Sequence, residues 1–228
     1  MSKELRFSPQ LFEFLTELKA NNNKEWFEAN RQRYLEFARD PMLAFIAAFR
    51  PRLAEISPYL VADPKPNGGS MLRIYRDIRF SKSKEPYKTN VAAFFPHQAG
   101  KENTPGVYLH LAPEESFLAA GIYQPDTATR RNIADAIANR SDDWKRAVSE
   151  RQFKTKLEFI GESLARLPKQ YAPDHPFARD LQRKDFAVQA TFTPQQVCAK
   201  DFLDRVENLC LLSKPMLGFL AAAAGLKW

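Results

Sequence analysis

Glycine, cysteine and histidine are scarce in this chain, and each scarcity removes a class of chemistry. Only eight of the 228 residues are glycine. They build neither a glycine-rich phosphate loop nor the Gly-x-Ser-x-Gly turn that presents a nucleophilic serine, so the usual nucleotide-dependent transfers and serine hydrolysis have no support. The two cysteines, Cys198 and Cys210, stand twelve apart on what reads as one helix, roughly 18 Å along its axis. They form no paired ligand motif and cannot bridge each other, and they read as reduced core thiols of a cytosolic protein. The three histidines, His97, His110 and His175, are far apart, and no His-Glu-x-x-His motif occurs. No metal and no cofactor are expected. Long apolar runs are missing too: Met1–Phe7 has no apolar signal core, and Met216–Leu226 is too short to span a bilayer. The expectation is a soluble, cytoplasmic chain without a membrane partner.

With 44% hydrophobic residues over 228 positions, the chain can bury a substantial core, and sixteen prolines beside eight glycines leave no flexible linker. One globular domain, 1–228, is expected. Asp63–Gly69, with two prolines and two glycines, reads as a joint between a helical start and a sheet.

Amphipathic helices open the chain. Ser8 before Pro9 predicts a capped helix start, and Leu11, Phe12, Leu15 and Leu18 make one apolar stripe. Asn21–Asn23 stop it, a second helix is expected over about 24–39, and Asp40-Pro41 opens a third. Strands follow at about 71–80, 90–96, 106–112 and 116–123, with connections short enough for an antiparallel meander. Asp126 caps a helix to about Asn139, Asp142–Trp144 starts another, and Thr193-Pro194 begins a strong one through Leu212. The fold class is therefore α+β: N-terminal helices, a central, mainly antiparallel sheet, and C-terminal helices.

What the chain does have is a concentrated positive charge. Between Arg73 and Lys88 six of sixteen residues are Lys or Arg and two are acidic, so this run carries +4 of a formal +7. A local excess of this kind points to a site more than to a general polyelectrolyte. On a strand, Leu72, Ile74, Arg76, Ile78 and Phe80 share one face, and Arg73, Tyr75, Asp77 and Arg79 share the other. Arg76 then sits on an apolar stripe and must be paired, line a cavity, or be re-aimed by a bulge. Asp77 is placed to orient the guanidinium of Arg79. Pro86 puts Lys82, Lys84, Tyr87 and Lys88 on a loop. Arginine forks and lysine point charges together suit phosphate, sulfate or carboxylates; a solvated ladder of salt bridges is the plainer alternative.

Three other places are ambiguous at this level. Asn21–Asn23 with Trp26 reads as a helix stop and cap, or as a pocket wall near the basic run. Gly121–Asp126 aims helix N-terminal amides forward, where Asp126 itself competes for them. His110, alternating with Tyr108 on a strand, is placed to face the basic loop, and His175 has Asp174 and Asp180 as orienting partners; each histidine also fits a purely structural, hydrogen-bonded role.

The run Arg-x-x-Arg-Asp-x-Arg-Phe-Ser-Lys-x-Lys-x-Pro-Tyr-Lys, from Arg73 to Lys88, resembles the signature of a mostly bacterial family known as domain of unknown function 2461. The similarity extends to Asn21–Phe27 with Asn30 and Tyr34, to Gly121–Pro125, and to Asp174-His175-Pro176. Ser83 departs from the pattern, which usually carries Asp or Asn there. The resemblance implies a compact α+β domain of about this length; the family brings no assigned activity.

Two function classes follow from the residues. One is a domain that binds an anionic small molecule, phosphate or carboxylate, through Arg73, Arg76, Arg79, Lys82, Lys84, Tyr87 and Lys88, with or without catalysis by Asp77, His110 or His175. The other is nucleic-acid binding, with the loop tracking phosphates and Tyr75 or Tyr87 stacking on bases. A scaffold that meets an acidic protein partner is the third and blandest reading.

Overall fold

The computed structural model describes residues 6–77, 79 and 84–228. Helices α1 (Pro9–Ala20), α2 (Lys24–Ala29) and α3 (Arg31–Tyr34) come first, and a π-helical turn over Leu35–Arg39 leads into α4 (Asp40–Ile56). Pro9 sits at the first helical position of α1, but Ser8 contributes only extended backbone, without a side-chain cap bond. Asn23 does cap α2, its Oδ1 accepting from the Trp26 amide at 2.9 Å. The helix expected over 24–39 is therefore broken at Asn30, which closes α2 with its backbone N–H.

Strands β1 (Val91–Pro96), β2 (Gly106–Leu111) and β3 (Ser116–Ile122) form the expected antiparallel meander. Helices α5 (Thr127–Asn139), α6 (Ser141–Val148) and α7 (Arg151–Lys156) follow, then β4 (Glu158–Ile160), α8 (Ala178–Leu181) and β5 (Phe186–Phe192). Among the described residues these five strands make one antiparallel sheet in the order β1-β2-β3-β5-β4. The late strands β4 and β5 escape the sequence reading because they stand singly among helices, without hairpin partners next to them in the chain.

The C-terminal region holds α9 (Pro194–Val197) and α10 (Phe202–Ala223). The single strong helix expected from Thr193 is thus interrupted at Cys198–Asp201, after a capping box between Thr193 and Gln196. Cys198 lies in that break and Cys210 is buried in α10; both are free thiols. Helix α10 is long and apolar enough to cross a membrane by length and composition, and half of its apolar window is packed inside the protein.

Strand alternation sends Val91, Ala93, Phe95, Val107, Leu109, Leu111, Leu118, Ile122, Phe186 and Val188 to one face, all essentially buried. Helices α4 and α10 pack there, and Phe45, Phe49, Phe202 and Phe95 interlock by ring contacts. On the opposite face Phe94, Tyr108, His110, Phe117, Ala119 and Gln189 are half-buried, and among the described residues no helix layer covers them. One face of the sheet therefore builds the core and the other is left for a site.

Candidate functional site

The basic segment keeps the alternation of a strand without its ladder. Leu72, Ile74 and Arg76 point inward and Arg73, Tyr75 and Asp77 are exposed. The hydrogen bonds, however, change partner along the way. The Leu72 amide donates to Ala92 O at 2.9 Å, whereas Arg76 N donates to Pro86 O at 2.9 Å and Lys88 N to Ile74 O at 2.7 Å. The expected strand over 71–80 is thus corrected, over its described part, to a chain that leaves the edge of β1 and closes on residues 86–88 through the single bridge Tyr75–Tyr87. Ile78, Phe80, Ser81, Lys82 and Ser83 lie outside the described residues.

This hairpin is pinned to the helices. The Asn22 amide grips the backbone of Tyr87 from both sides, Nδ2 donating to Tyr87 O at 3.0 Å and Oδ1 accepting from Tyr87 N at 3.1 Å. The Tyr87 ring is 2% exposed and stacks on Phe27 with centroids 4.1 Å apart. Tyr87 is accordingly a core anchor whose ring is unavailable for stacking on a base. Asn22 and Asn23 likewise serve the backbone, so the turn at 21–23 positions the basic segment.

The cations divide into two groups. Arg76 is neither a buried ion nor a free one: its guanidinium meets Glu85 at 2.9 Å with its side chain about one third exposed. Arg79 is held by Asp77 in a forked contact, Nε to Oδ1 at 3.0 Å and Nη2 to Oδ2 at 2.6 Å, the orientation expected from their spacing. The same hydrogen bonds hold Asp77 below the usual carboxylate range, with Arg73 adding a smaller pull. Lys84 is exposed. The side chains of Arg73 and Lys88, by contrast, have no hydrogen-bond or ion-pair partner among the described residues. Lys88 is half-buried. Its ammonium is held below the ordinary lysine range first by burial and then by the nearby positive charge of Arg73.

The histidines separate from this cluster. His175 is structural: Nδ1 accepts from the Phe177 amide at 3.1 Å and Nε2 contacts Ser141 Oγ at 3.2 Å. Neither acidic neighbour orients it, Asp180 being bonded to Trp144 Nε1 and Arg183 instead. His97 is buried between Lys227 O and the Ala99 amide. His110 does lie on the uncovered sheet face, Nδ1 3.0 Å from the Tyr108 hydroxyl and its ring stacked on Phe117 at 4.9 Å. Burial lowers its pKa, against a smaller opposing effect of Glu115. In register it sits opposite Ala92, and among the described residues no hydrogen bond or ring contact joins it to Asp77 or His175.

The sequence reading missed a cavity of about 590 Å³ on the uncovered sheet face, walled by Phe94, Tyr108, Phe117 and Leu72 and edged by Lys101. The signal was present: strands β1, β2 and β3 carry the rings Phe94, Tyr108 and Phe117 on the face away from the core, and β1 also carries Phe95 toward it. A strand with aromatics on both faces has something to shield on each.

The chain's residues 10–219 match the family model described as conserved hypothetical protein, domain of unknown function 2461, so the chain belongs to that family. No curated protein and no solved structure matches it.

Proposed function

We propose that this family member is an anion-binding domain whose ligand presents a phosphate or carboxylate group to the segment Arg73–Lys88. The observation that carries the reading is the pairing of Lys88 with Arg73: two cations near each other, one partly desolvated, with no carboxylate bonded to either among the described residues. Burying a lysine beside an arginine is unfavourable unless an anion relieves it. Arg76 and Arg79, already bonded to Glu85 and Asp77, frame the position, and Lys84 adds charge at its edge.

Binding without hydrolysis fits better than a catalytic site. A carboxylate tied to a guanidinium and held well ionised, as Asp77 is, makes a weak general base near neutral pH. Nucleic-acid binding loses one of its two stacking rings, Tyr87, to the core, and Tyr75 at 49% exposed is the one that remains.

Thermal unfolding in inorganic phosphate, at ionic strength matched with sodium chloride, tests this. The parent should gain Tm with phosphate by mass action, and Lys88→Met and Arg73→Met should lose most of that gain. Arg76→Met, which removes a partly exposed ion pair, should fold nearly as well as the parent and keep more of it. No phosphate effect, or an equal effect in all four proteins, removes the proposal. Filter retention of mixed-sequence DNA or RNA that falls steeply with salt would favour the nucleic-acid reading instead.

A further inference from the structure

We propose that the cavity on the uncovered sheet face is a separate ligand site, built for a flat aromatic molecule that carries one negative charge. This goes beyond the anion site and does not depend on it. The cavity runs across the sheet from the row Gly106, Gly121 and Ala187 to Phe117 and Leu72, and Arg73, Arg76, Arg79, Lys84 and Lys88 are not among its described lining residues.

The shape argues for a planar ligand. Gly106, Ala119, Gly121 and Ala187 make a floor of small residues across β2, β3 and β5. Phe94, Tyr108 and Phe117 stand around it as aromatic walls. Gly106 is required for that arrangement, since a Cβ there would meet the Phe94 ring at 2.7 Å. The walls are preorganised: Tyr108 packs on Phe117 with centroids 5.8 Å apart and its hydroxyl is fixed by His110. The volume of about 590 Å³ falls within the ordinary range for small-molecule sites.

The polar groups argue for the charge. Three of those lining the cavity are already engaged within the protein. Asn103 exchanges both ends of its amide with Asp126, Thr104 Oγ1 donates to Gly100 O, and the Tyr108 hydroxyl meets His110. The side chains of Lys101, Gln189 and Tyr123 have no bonded partner among the described residues. Lys101 is the one charged side chain among the described lining residues, and it stands exposed at the rim. An apolar slot with a lone cation at its mouth and an amide on its floor complements an aromatic body with one anionic substituent.

Titration calorimetry with 2-naphthoate and its neutral isostere naphthalene-2-carboxamide tests the inference. The parent should bind both, the carboxylate about threefold to tenfold more tightly, a modest ratio because the cation is at the rim. Lys101→Met should erase that preference while keeping the carboxamide bound. Ala119→Phe places a ring on the floor and should abolish binding of both, with folding checked by its Tm. In saturating inorganic phosphate, which fills the basic segment, Lys88→Met should bind 2-naphthoate like the parent. No binding of 2-naphthoate to the parent, or a preference that survives Lys101→Met, overturns the proposal; so does sensitivity to Lys88→Met in place of Lys101→Met, which would locate the ligand at the basic segment.

Discussion

Burial and the neighbouring Arg73 both disfavour the charge on Lys88, and this gives its substitution an unusual sign. Because burial and Arg73 lower its pKa in the fold, the folded state sheds that proton before the unfolded chain does. Stability therefore rises with pH across the window that ends at the ordinary lysine value of 10.5. Lys88→Met should raise Tm by a few degrees near neutral pH in phosphate-free buffer, and its advantage over the parent should shrink as pH climbs. A lower Tm for the variant at neutral pH would show that the ammonium is bonded after all. Tyr34 and Tyr171 predict the opposite slope at alkaline pH. Burial pushes both phenols up from 10.0 to about 12, helped at Tyr171 by donation to Asp135 at 2.8 Å. The unfolded chain then ionises first, the folded state holds more protons between those values, and stability falls as pH rises through them. Tyr171→Phe and Tyr34→Phe should each flatten the plot of Tm against pH between 10 and 12; curves parallel to the parent's would refute the assignment.

At the scale of elements, the site depends on how β5 is inserted beside β3. Asp185, 5% exposed, ties three segments together at the start of that strand. Its Oδ1 accepts from the Gln124 amide at 2.7 Å and its Oδ2 from the Glu162 amide at 2.9 Å, linking the exits of β3 and β4 to β5. Asp185→Asn keeps the shape but can accept through only one oxygen, leaving an amide with a poor partner. It should cost about 1–3 kcal/mol in urea unfolding. A change within about 0.5 kcal/mol, the range of an ordinary surface substitution, would mean that water replaces the lost bond. Gly121 is more severe: at φ +142° its Cβ would lie 2.2 Å from Phe186 O. Gly121→Ala must open the β3–β5 pairing, and its Tm should drop more than that of Asp185→Asn.

For the whole molecule, the arrangement of charge matters more than its total. A formal +7 would favour any polyanion if it were spread over one face, but +4 of it lies between Arg73 and Lys88. The rest of the chain nets only +3, and its cations stand among carboxylates, as where Arg52 joins α4 to Asp204 and Glu207 of α10. Binding of mixed-sequence DNA should therefore be weak, with a shallow dependence of log affinity on log salt matching few phosphate contacts. A slope as steep as six or more contacts require, of magnitude roughly 5, would contradict a compact anion site.

How much of this was legible in the sequence depends on how local each cause is. Pro9 and the stripe Leu11, Phe12, Leu15 and Leu18 define α1, and period-two burial with short connections defines the meander, because each pattern is set by neighbours a few residues apart. The alternation of Leu72–Asp77 and the Asp77–Arg79 contact belong to the same class. Tertiary structure decided what depended on distant partners. Tyr87 became a core residue because Asn22 and Phe27, some 60 to 65 positions earlier, are brought to it, and that docking turned an expected strand into a hairpin. The register of β5 against β3 supplied Ala187 and Gln189 to a cavity that no stretch of sequence contains. A linear pattern can mark a residue as turned away from the core, but only the packed sheet decides whether that side meets water or encloses a site, because enclosure is a property of several strands at once.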